Sequence, residues 1–237
     1  MVDVYPLEVR PGPANMAADD VLLERAAQGL PAVRLYAWRE PTLSLGYFQP
    51  AAARAILPQV PWLRRASGGA AILHGDGDLT YALAIPPGTP IPHGESSWVC
   101  VVHRAVQRLF AARGISAKLV VCGEARTLGP TLCFLDQTPG DLVVDGVKVA
   151  GSAQRKYRGA TLQHGTIRLA TSRLLPALPG ACELAGQAYS APSLAADMEE
   201  ALPHLLGGPP RRAAWSAEDE AAMASSKYAA DEWNAKR

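Results

Sequence analysis

The residues of this chain that could do chemistry are few and scattered. Cys133, in Leu132-Cys133-Phe134, is one of four cysteines, at 100, 122, 133 and 182. A thiolate is a nucleophile able to carry an acyl group. A free cysteine is more commonly a small core hydrophobe. That reading covers Cys100 in a helical pattern, Cys122 at the end of Leu119-Val120-Val121, and Cys182 in a Pro-rich stretch. Lys148 stands two residues past Asp145-Gly146, between Val147 and Val149. Either it points to solvent, the commoner fate of lysine, or it points inward beside Gly151-Ser152-Ala153-Gln154, where small residues leave room for a ligand. An inward ammonium would hydrogen-bond an acyl carbonyl and stabilise the oxyanion formed when that carbonyl is attacked. Ser67-Gly68-Gly69-Ala70 lets backbone amides approach a ligand closely, because glycine has no Cβ. With Arg64-Arg65 before it, this loop could hold a carboxylate, phosphate or carbonyl. The competing reading is a tight strand-to-strand turn with two solvated arginines. His74 and His164 read first as structural hydrogen-bonders and second as acid–base groups.

The elements around these residues are partly legible. Asn15 reads as the N-cap of a helix of about four turns ending near Gly29, with Met16, Leu23 and Ala27 on one face. Val33–Trp38, Leu43–Tyr47 and Leu79–Ile85 read as strands. Residues 97–113 form an amphipathic helix, with Trp98, Val101, Ala105, Leu109 and Ala112 recurring at spacings of three and four and Gly114 ending it. Leu142-Val143-Val144, Asp145-Gly146 and Val147-Lys148-Val149 make a hairpin, since Asp-Gly tolerates the positive φ angles of a type I′ turn. Residues 161–169 read as a further strand. Ser216 caps a final amphipathic helix with Asp219 in the capping-box position. The stretch 174–206 stays ambiguous between loop and short helices. Strands and helices mix without strict βαβ alternation, so the expected class is α+β, a mixed sheet packed with helices.

Composition narrows the function. At 237 residues the chain can bury a full core; 49% hydrophobic and 19% charged residues are ordinary for a globular protein. A net charge of +1 argues against a partner that is nucleic acid or an anionic membrane. No two cysteines form a C-x-x-C pair, so no metal site is expected, and four in this length make no disulfide scaffold. The N-terminus lacks the apolar run of a signal peptide, and the longest uncharged stretch, 79–94, carries four prolines. The expected setting is the cytoplasm.

Taken in order along the chain, these segments resemble the lipoate–protein ligase and octanoyltransferase family, relatives of biotin–protein ligase. The resemblance rests on Asn15-Met16-Ala17-Ala18-Asp19, residues 34–38, residues 41–49 and Arg64-Arg65-Ala66-Ser67-Gly68-Gly69-Ala70-Ala71-Ile72-Leu73-His74. It continues through Asp78-Leu79-Thr80-Tyr81, the block 141–154, Gln163-His164-Gly165-Thr166, and, near the end, Lys227-Tyr228 and Trp233-Asn234. It implies a biotin/lipoate protein ligase-like catalytic domain over 1–237, with the ligase's C-terminal accessory domain absent. It also implies an acyl tunnel lined by Arg65, Ser67, Gly68, Gly69 and Ala70, by Gly151, Ser152, Ala153 and Gln154, and by His74, His164 and Gly165. Ala70 departs from the pattern, standing where a third glycine or an arginine is usual.

The family divides by how the acyl group is activated. A free acid must be adenylated with ATP and Mg²⁺, whereas a thioester needs only a cysteine relay. Cys133-Phe134, seven residues before Asp141, resembles the Cys-Phe segment of the cysteine-dependent octanoyltransferases; typical ligases have an Arg-Asn-Asp-like sequence directly before the Leu-Val strand. The resemblance therefore implies octanoyl-acyl carrier protein as donor, Cys133 as nucleophile and Lys148 as carbonyl donor. It implies no cofactor, and as acceptor the lipoyl domain of a glycine-cleavage H protein or a 2-oxoacid dehydrogenase. Lys148 and His74 are the candidates for activating the thiol. A monomer is expected. The alternative is an ATP-dependent lipoate–protein ligase acting with a separate accessory subunit.

Overall fold

The computed structural model describes residues 1–121 and 132–237; Cys122 lies outside them. The chain opens on a strand absent from the sequence reading, β1 (Val2–Arg10), and enters helix α1 (Gly12–Ala27). Next come β2 (Ala32–Trp38), β3 (Thr42–Leu45), a 3-10 turn at Ala51–Ile56, β4 (Trp62–Arg64), β5 (Ile72–His74) and β6 (Asp78–Ile85). Helix α2 (Trp98–Ala111), β7 (Lys118–Leu119) and a 3-10 turn at Cys133–Leu135 precede the hairpin of β8 (Leu142–Val144) and β9 (Val147–Tyr157), then β10 (Ala160–Arg168). The stretch left ambiguous resolves into α3 (Ala181–Ala185) and α4 (Ala191–Leu205), followed by β11 (Pro210–Arg212), α5 (Ala217–Ala224), a 3-10 turn at Lys227–Ala229 and α6 (Asp231–Asn234). The eight-stranded sheet runs β11-β1-β2-β6-β10-β9-β8-β7, and a second sheet of three strands runs β4-β3-β5. β1 is parallel to β2 and β11, and the other pairs of the large sheet are antiparallel. The architecture is α+β, as expected.

Central β6 shows how the layers form. All eight of its residues are buried. Leu79, Tyr81, Leu83 and Ile85 join a core with α2 and α4, while Ala82 and Ala84 join a second core with α1. The period of two thus sends large side chains to one face and alanines to the other, letting α1 lie close against the sheet. A third cluster, built from Leu43, Leu45, Leu57, Leu73 and Leu132, packs the small sheet and carries the chain to Cys133.

The predicted caps hold in two places and fail in one. Ser97 Oγ accepts from the Cys100 amide at 3.2 Å, and Ser216 with Asp219 forms the capping box of α5. Asn15 does not cap α1. The helix begins three residues earlier, after Pro11, and Asn15 is fully buried within it. Its Nδ2 donates to the carbonyls of Arg10 and Ala37, both at 3.2 Å, and its Oδ1 accepts from Arg34 Nη2 at 2.6 Å. A cap residue and a buried cross-linking asparagine look alike in sequence, because both use the same short amide. No helix among the described residues is long and apolar enough to cross a membrane.

Phe110 of α2 is wholly buried, whereas Phe48 is 72% exposed. Phe110→Ala should cost about 3–5 kcal/mol through lost transfer energy and a residual cavity. Phe48→Ala should stay within about 0.5 kcal/mol. Denaturant midpoints of the two variants check this; equal shifts would contradict the layering described.

Candidate active site

The hairpin places Lys148. Asp145 and Gly146 both have positive φ, 47° and 78°, as the type I′ turn requires. Lys148 pairs with Val143 across the strands, and a register shift separates that pair from Leu142 opposite Ala150. Lys148 points inward and is 3% exposed. Its Nζ lies 2.7 Å from Asp141 Oδ2 and donates to Cys133 Sγ at 3.4 Å. Asp141 is itself buried, and the same Oδ2 accepts from the amide and hydroxyl of Thr138 at 2.7 and 3.0 Å. The preceding residue, Gly140, accepts at its carbonyl from His103 Nδ1 of α2 at 2.6 Å and donates its amide to Val120 at 2.8 Å. Gly151 leaves space for the pair: a Cβ there would sit 2.7 Å from Lys148 Cε and 3.2 Å from Asp141 Oδ1.

Burial pulls the Lys148 pKa down, but the negative charges of Cys133 and Asp141 outweigh it, and the net shift is upward. The ammonium is therefore kept at neutral pH. Because the folded value is raised, the stabilisation is complete below the ordinary lysine value of 10.5 and is lost only as pH climbs through the raised one.

Cys133 is set by backbone. Its amide donates to the Ala71 carbonyl at 2.8 Å, and Leu132 bridges Ala71 in a parallel pairing. The adjacent Phe134 ring has the Arg168 guanidinium 4.3 Å from its centroid. Arg168 is buried beside Asp78, 4.0 Å away, and burial pushes the Asp78 carboxyl up to about 8 despite that cation. The sulfur thus lies in the field of Lys148, Arg65 and Arg168, each of which is favoured in its charged form by negative charge at Cys133.

Cys133 lies in the wall of a cavity, whereas Lys148, whose strand was expected to line it, and Asp141 are not among the wall residues. The cavity's walls include Cys133, Gly69, Gly151, Ser152 and Ala153, with Arg65, His74, His164 and Gly165. Met16, Tyr36, Trp38, Ile72, Thr80 and Thr166 complete it and were not expected from sequence. Their signal was weak, since each sits in an ordinary strand or helix pattern. Asp141 was also missed as a site residue, although an acid at the foot of a hairpin facing an inward lysine was the available clue.

Several expected residues take other parts. Gln154 is not in the cavity wall; its Nε2 donates to Gln163 Oε1 at 2.8 Å. Gly68 and Ala70 offer carbonyls to Arg65 Nη2, at 2.9 and 2.6 Å, rather than lining the cavity. Arg64 and Arg65 are not solvated: both are buried. Arg64 donates to the carbonyls of Gly46, Tyr47, Gln49 and Asn234, and Arg65 Nη1 to Ser44. Arg65 Nε is buried with no hydrogen-bond partner among the described residues. His74 supplies no positive charge to the thiol. Its Nε2 bonds Ser44 Oγ at 2.8 Å, its Nδ1 lies 3.3 Å from Thr166 Oγ1, and its ring stacks on Trp38 at 3.9 Å. Burial, and then nearby Arg65, hold its pKa well below the usual histidine value. Ser67 lies behind the wall, with Oγ 2.5 Å from His164 Nε2, and His164 Nδ1 is 2.8 Å from Asp19 Oδ2.

Comparison with known proteins bears on the family and the fold. The family model of the lipoyl protein ligase A/B catalytic domain matches residues 11–181. An octanoyltransferase LipM of Brevibacillus brevis is 36% identical over 169 residues, covering 65% of this chain and 61% of that protein. The chain thus matches about three fifths of the length of that relative (61%). An octanoyltransferase LipM of Kyrpidia tusciae is 30% identical, with 93% of each chain covered. Among solved structures, a bi-partite lipoate protein ligase from Thermoplasma acidophilum, described with its E2 lipoyl domain, superposes with a TM-score of 0.68 at 18% identity, over 99% of this chain and 95% of that one. At that identity the likeness is one of fold. The chain belongs to the lipoyl protein ligase A/B catalytic domain family.

Proposed function

We propose that this chain transfers an octanoyl group from octanoyl-acyl carrier protein to a lysine of a lipoyl domain, through a thioester on Cys133. The acceptor is the glycine-cleavage H protein or a 2-oxoacid dehydrogenase subunit, and the enzyme works as a cytoplasmic monomer. The observation that carries the reading is the Lys148 ammonium held 3.4 Å from Cys133 Sγ at the wall of the cavity. Relatives named as octanoyltransferases support it.

The chemistry follows from that contact. The Cys133 thiolate attacks the donor carbonyl, and Lys148 donates to the oxygen as it becomes an oxyanion. Collapse breaks the carbon–sulfur bond of the donor, whose pantetheine sulfur leaves as the thiolate with the electron pair. Exchange of one thioester for another is near neutral in free energy, and aminolysis to an amide is downhill. No nucleotide or metal is required, because the acyl group arrives already activated. Asp141 keeps the ammonium charged and aimed, since a lysine that lost this partner in a buried site would favour its neutral form.

Intact-mass analysis of the protein mixed with octanoyl-acyl carrier protein, without ATP, should show one octanoyl adduct on the native chain and none on Cys133→Ala. Octanoate transfer that demands ATP and survives Cys133→Ala would sink the relay and leave the adenylating ligase. Lys148→Ala should slow adduct formation by about 10²–10³-fold, the range seen when an oxyanion donor is lost.

Asp141→Asn tests the support beneath the site. Removing one partner of a buried pair should destabilise the fold by about 3–5 kcal/mol at pH 7. Adduct formation should slow with it. Denaturant unfolding of the variant checks the first; a loss under about 1 kcal/mol would mean the pair is solvated, the usual case for surface pairs.

A further inference from the structure

We infer that His164, oriented by Asp19 and lining the same cavity as Cys133, is the general base that takes the proton from the acceptor lysine. The inference rests on the transfer reading above and supplies a step that reading leaves open. An acceptor lysine arrives as an ammonium, with no lone pair to attack a thioester. Lys148 is fixed to Asp141 at 2.7 Å and serves the oxyanion. Burial and nearby Arg65 hold the His74 pKa well below the usual histidine value, which makes it a poor base.

His164 is differently placed. It lines the main cavity and also a smaller one that includes Ser67, Asp19, Asp20, Arg155 and Tyr228. Among the described residues it is the one titratable side chain common to both. A carboxylate cannot donate, so the 2.8 Å contact with Asp19 puts the neutral ring's proton on Nδ1. Nε2 is then the acceptor, 2.5 Å from Ser67 Oγ. Asp19 is fixed in place behind the ring, receiving Arg34 Nη1 on Oδ1 at 3.1 Å and Tyr36 Oη on Oδ2 at 3.0 Å. A buried carboxylate behind an imidazole that itself borders the cavity gives a proton from the acceptor a place to go.

The step balances as follows. The acceptor ammonium gives one proton to His164 Nε2, which exchanges its contact with the Ser67 hydroxyl for the new N–H, and Asp19 stabilises the imidazolium. The freed amine attacks the acyl carbon, forming the carbon–nitrogen bond. The carbon–sulfur bond breaks with its electron pair going to Cys133, which recovers the second proton from nitrogen as the amide forms. The imidazolium returns its proton to solvent.

The two half-reactions separate the possibilities. His164→Gln is loaded with octanoyl from the carrier protein, and deacylation is followed with a lipoyl domain and with hydroxylamine, an amine already unprotonated at neutral pH. Transfer to the lipoyl lysine should fall by between about a hundredfold and ten-thousandfold, the usual contribution of a positioned base. Transfer to hydroxylamine should fall by less than about a tenth as much, because no base is needed. Equal losses with both nucleophiles would show a structural role and overturn the inference, as would unimpaired transfer to lysine. Asp19→Asn should show the same asymmetry, and decides the matter if His164→Gln does not fold. If the native chain takes no adduct on Cys133, the relay fails but the base does not; octanoyl adenylate as donor then allows the same comparison of lysine with hydroxylamine.

Discussion

A lysine ammonium with 3% exposure must keep its counter-charge, and this constraint organises the centre of the molecule. Withdrawing such a group from water costs several kcal/mol, which close partners must offset. Asp141 at 2.7 Å is the main offset, and it is itself fixed by two donors from Thr138. Its loop is pinned from behind by His103, which spans from Tyr81 Oη at 3.0 Å to the Gly140 carbonyl. Helix α2, strand β6 and the β8–β9 hairpin therefore meet at one carboxylate. The pair does more than stabilise: it stores a positive charge beside a sulfur in a place where water cannot screen it.

The loop before Cys133 answers a different constraint. A guanidinium buried among carbonyls satisfies backbone that would otherwise lack donors, and Arg64 and Arg65 do this for the segments around Gly46 and Gly68. This also explains how Ala70 is accommodated. The contact that matters at that position is its carbonyl, 2.6 Å from Arg65 Nη2, and any residue supplies a carbonyl. Arg65 thus shapes the wall of the cavity, and its Nε is the part not used by the protein's own described groups.

What was legible in sequence was local. The Asp-Gly turn, the Ser97 and Ser216 caps and the period of α2 each depend on neighbours within a few residues, and all are present. Block order along the chain identified the family, so Cys133, Lys148 and most of the wall were named before their positions were known. The illegible parts depend on partners far away in the chain. Asn15 bonds Arg34 and Ala37, Arg64 bonds Asn234, and Asp19 bonds His164, separations of 19, 22, 170 and 145 residues. β1, interrupted by Pro6, pairs in parallel with β2 and with β11, about two hundred residues on. α3 and α4 are short or proline-bearing, and they hold because Leu194, Met198 and Leu202 are buried against the sheet.

Two buried carboxylates, neither of them in the wall of the main cavity, divide the electrostatic work between them. Asp141 faces an amine whose ordinary pKa is 10.5, so the partnership yields a charge that does not change near neutral pH. Asp19 faces an imidazole, a group that can both accept and donate a proton. The surroundings reinforce the difference. Asp141 is neighboured by a thiol and a threonine, which leave the ammonium as its one cationic partner in the site. Asp19 also receives the Arg34 guanidinium and the Tyr36 hydroxyl, so the ring is one of three donors that it holds. A fixed charge and a titratable group are what acyl transfer between a sulfur and an amine requires, the first for the oxyanion and the second for the proton. Here they are built from the same kind of acid set against two different bases.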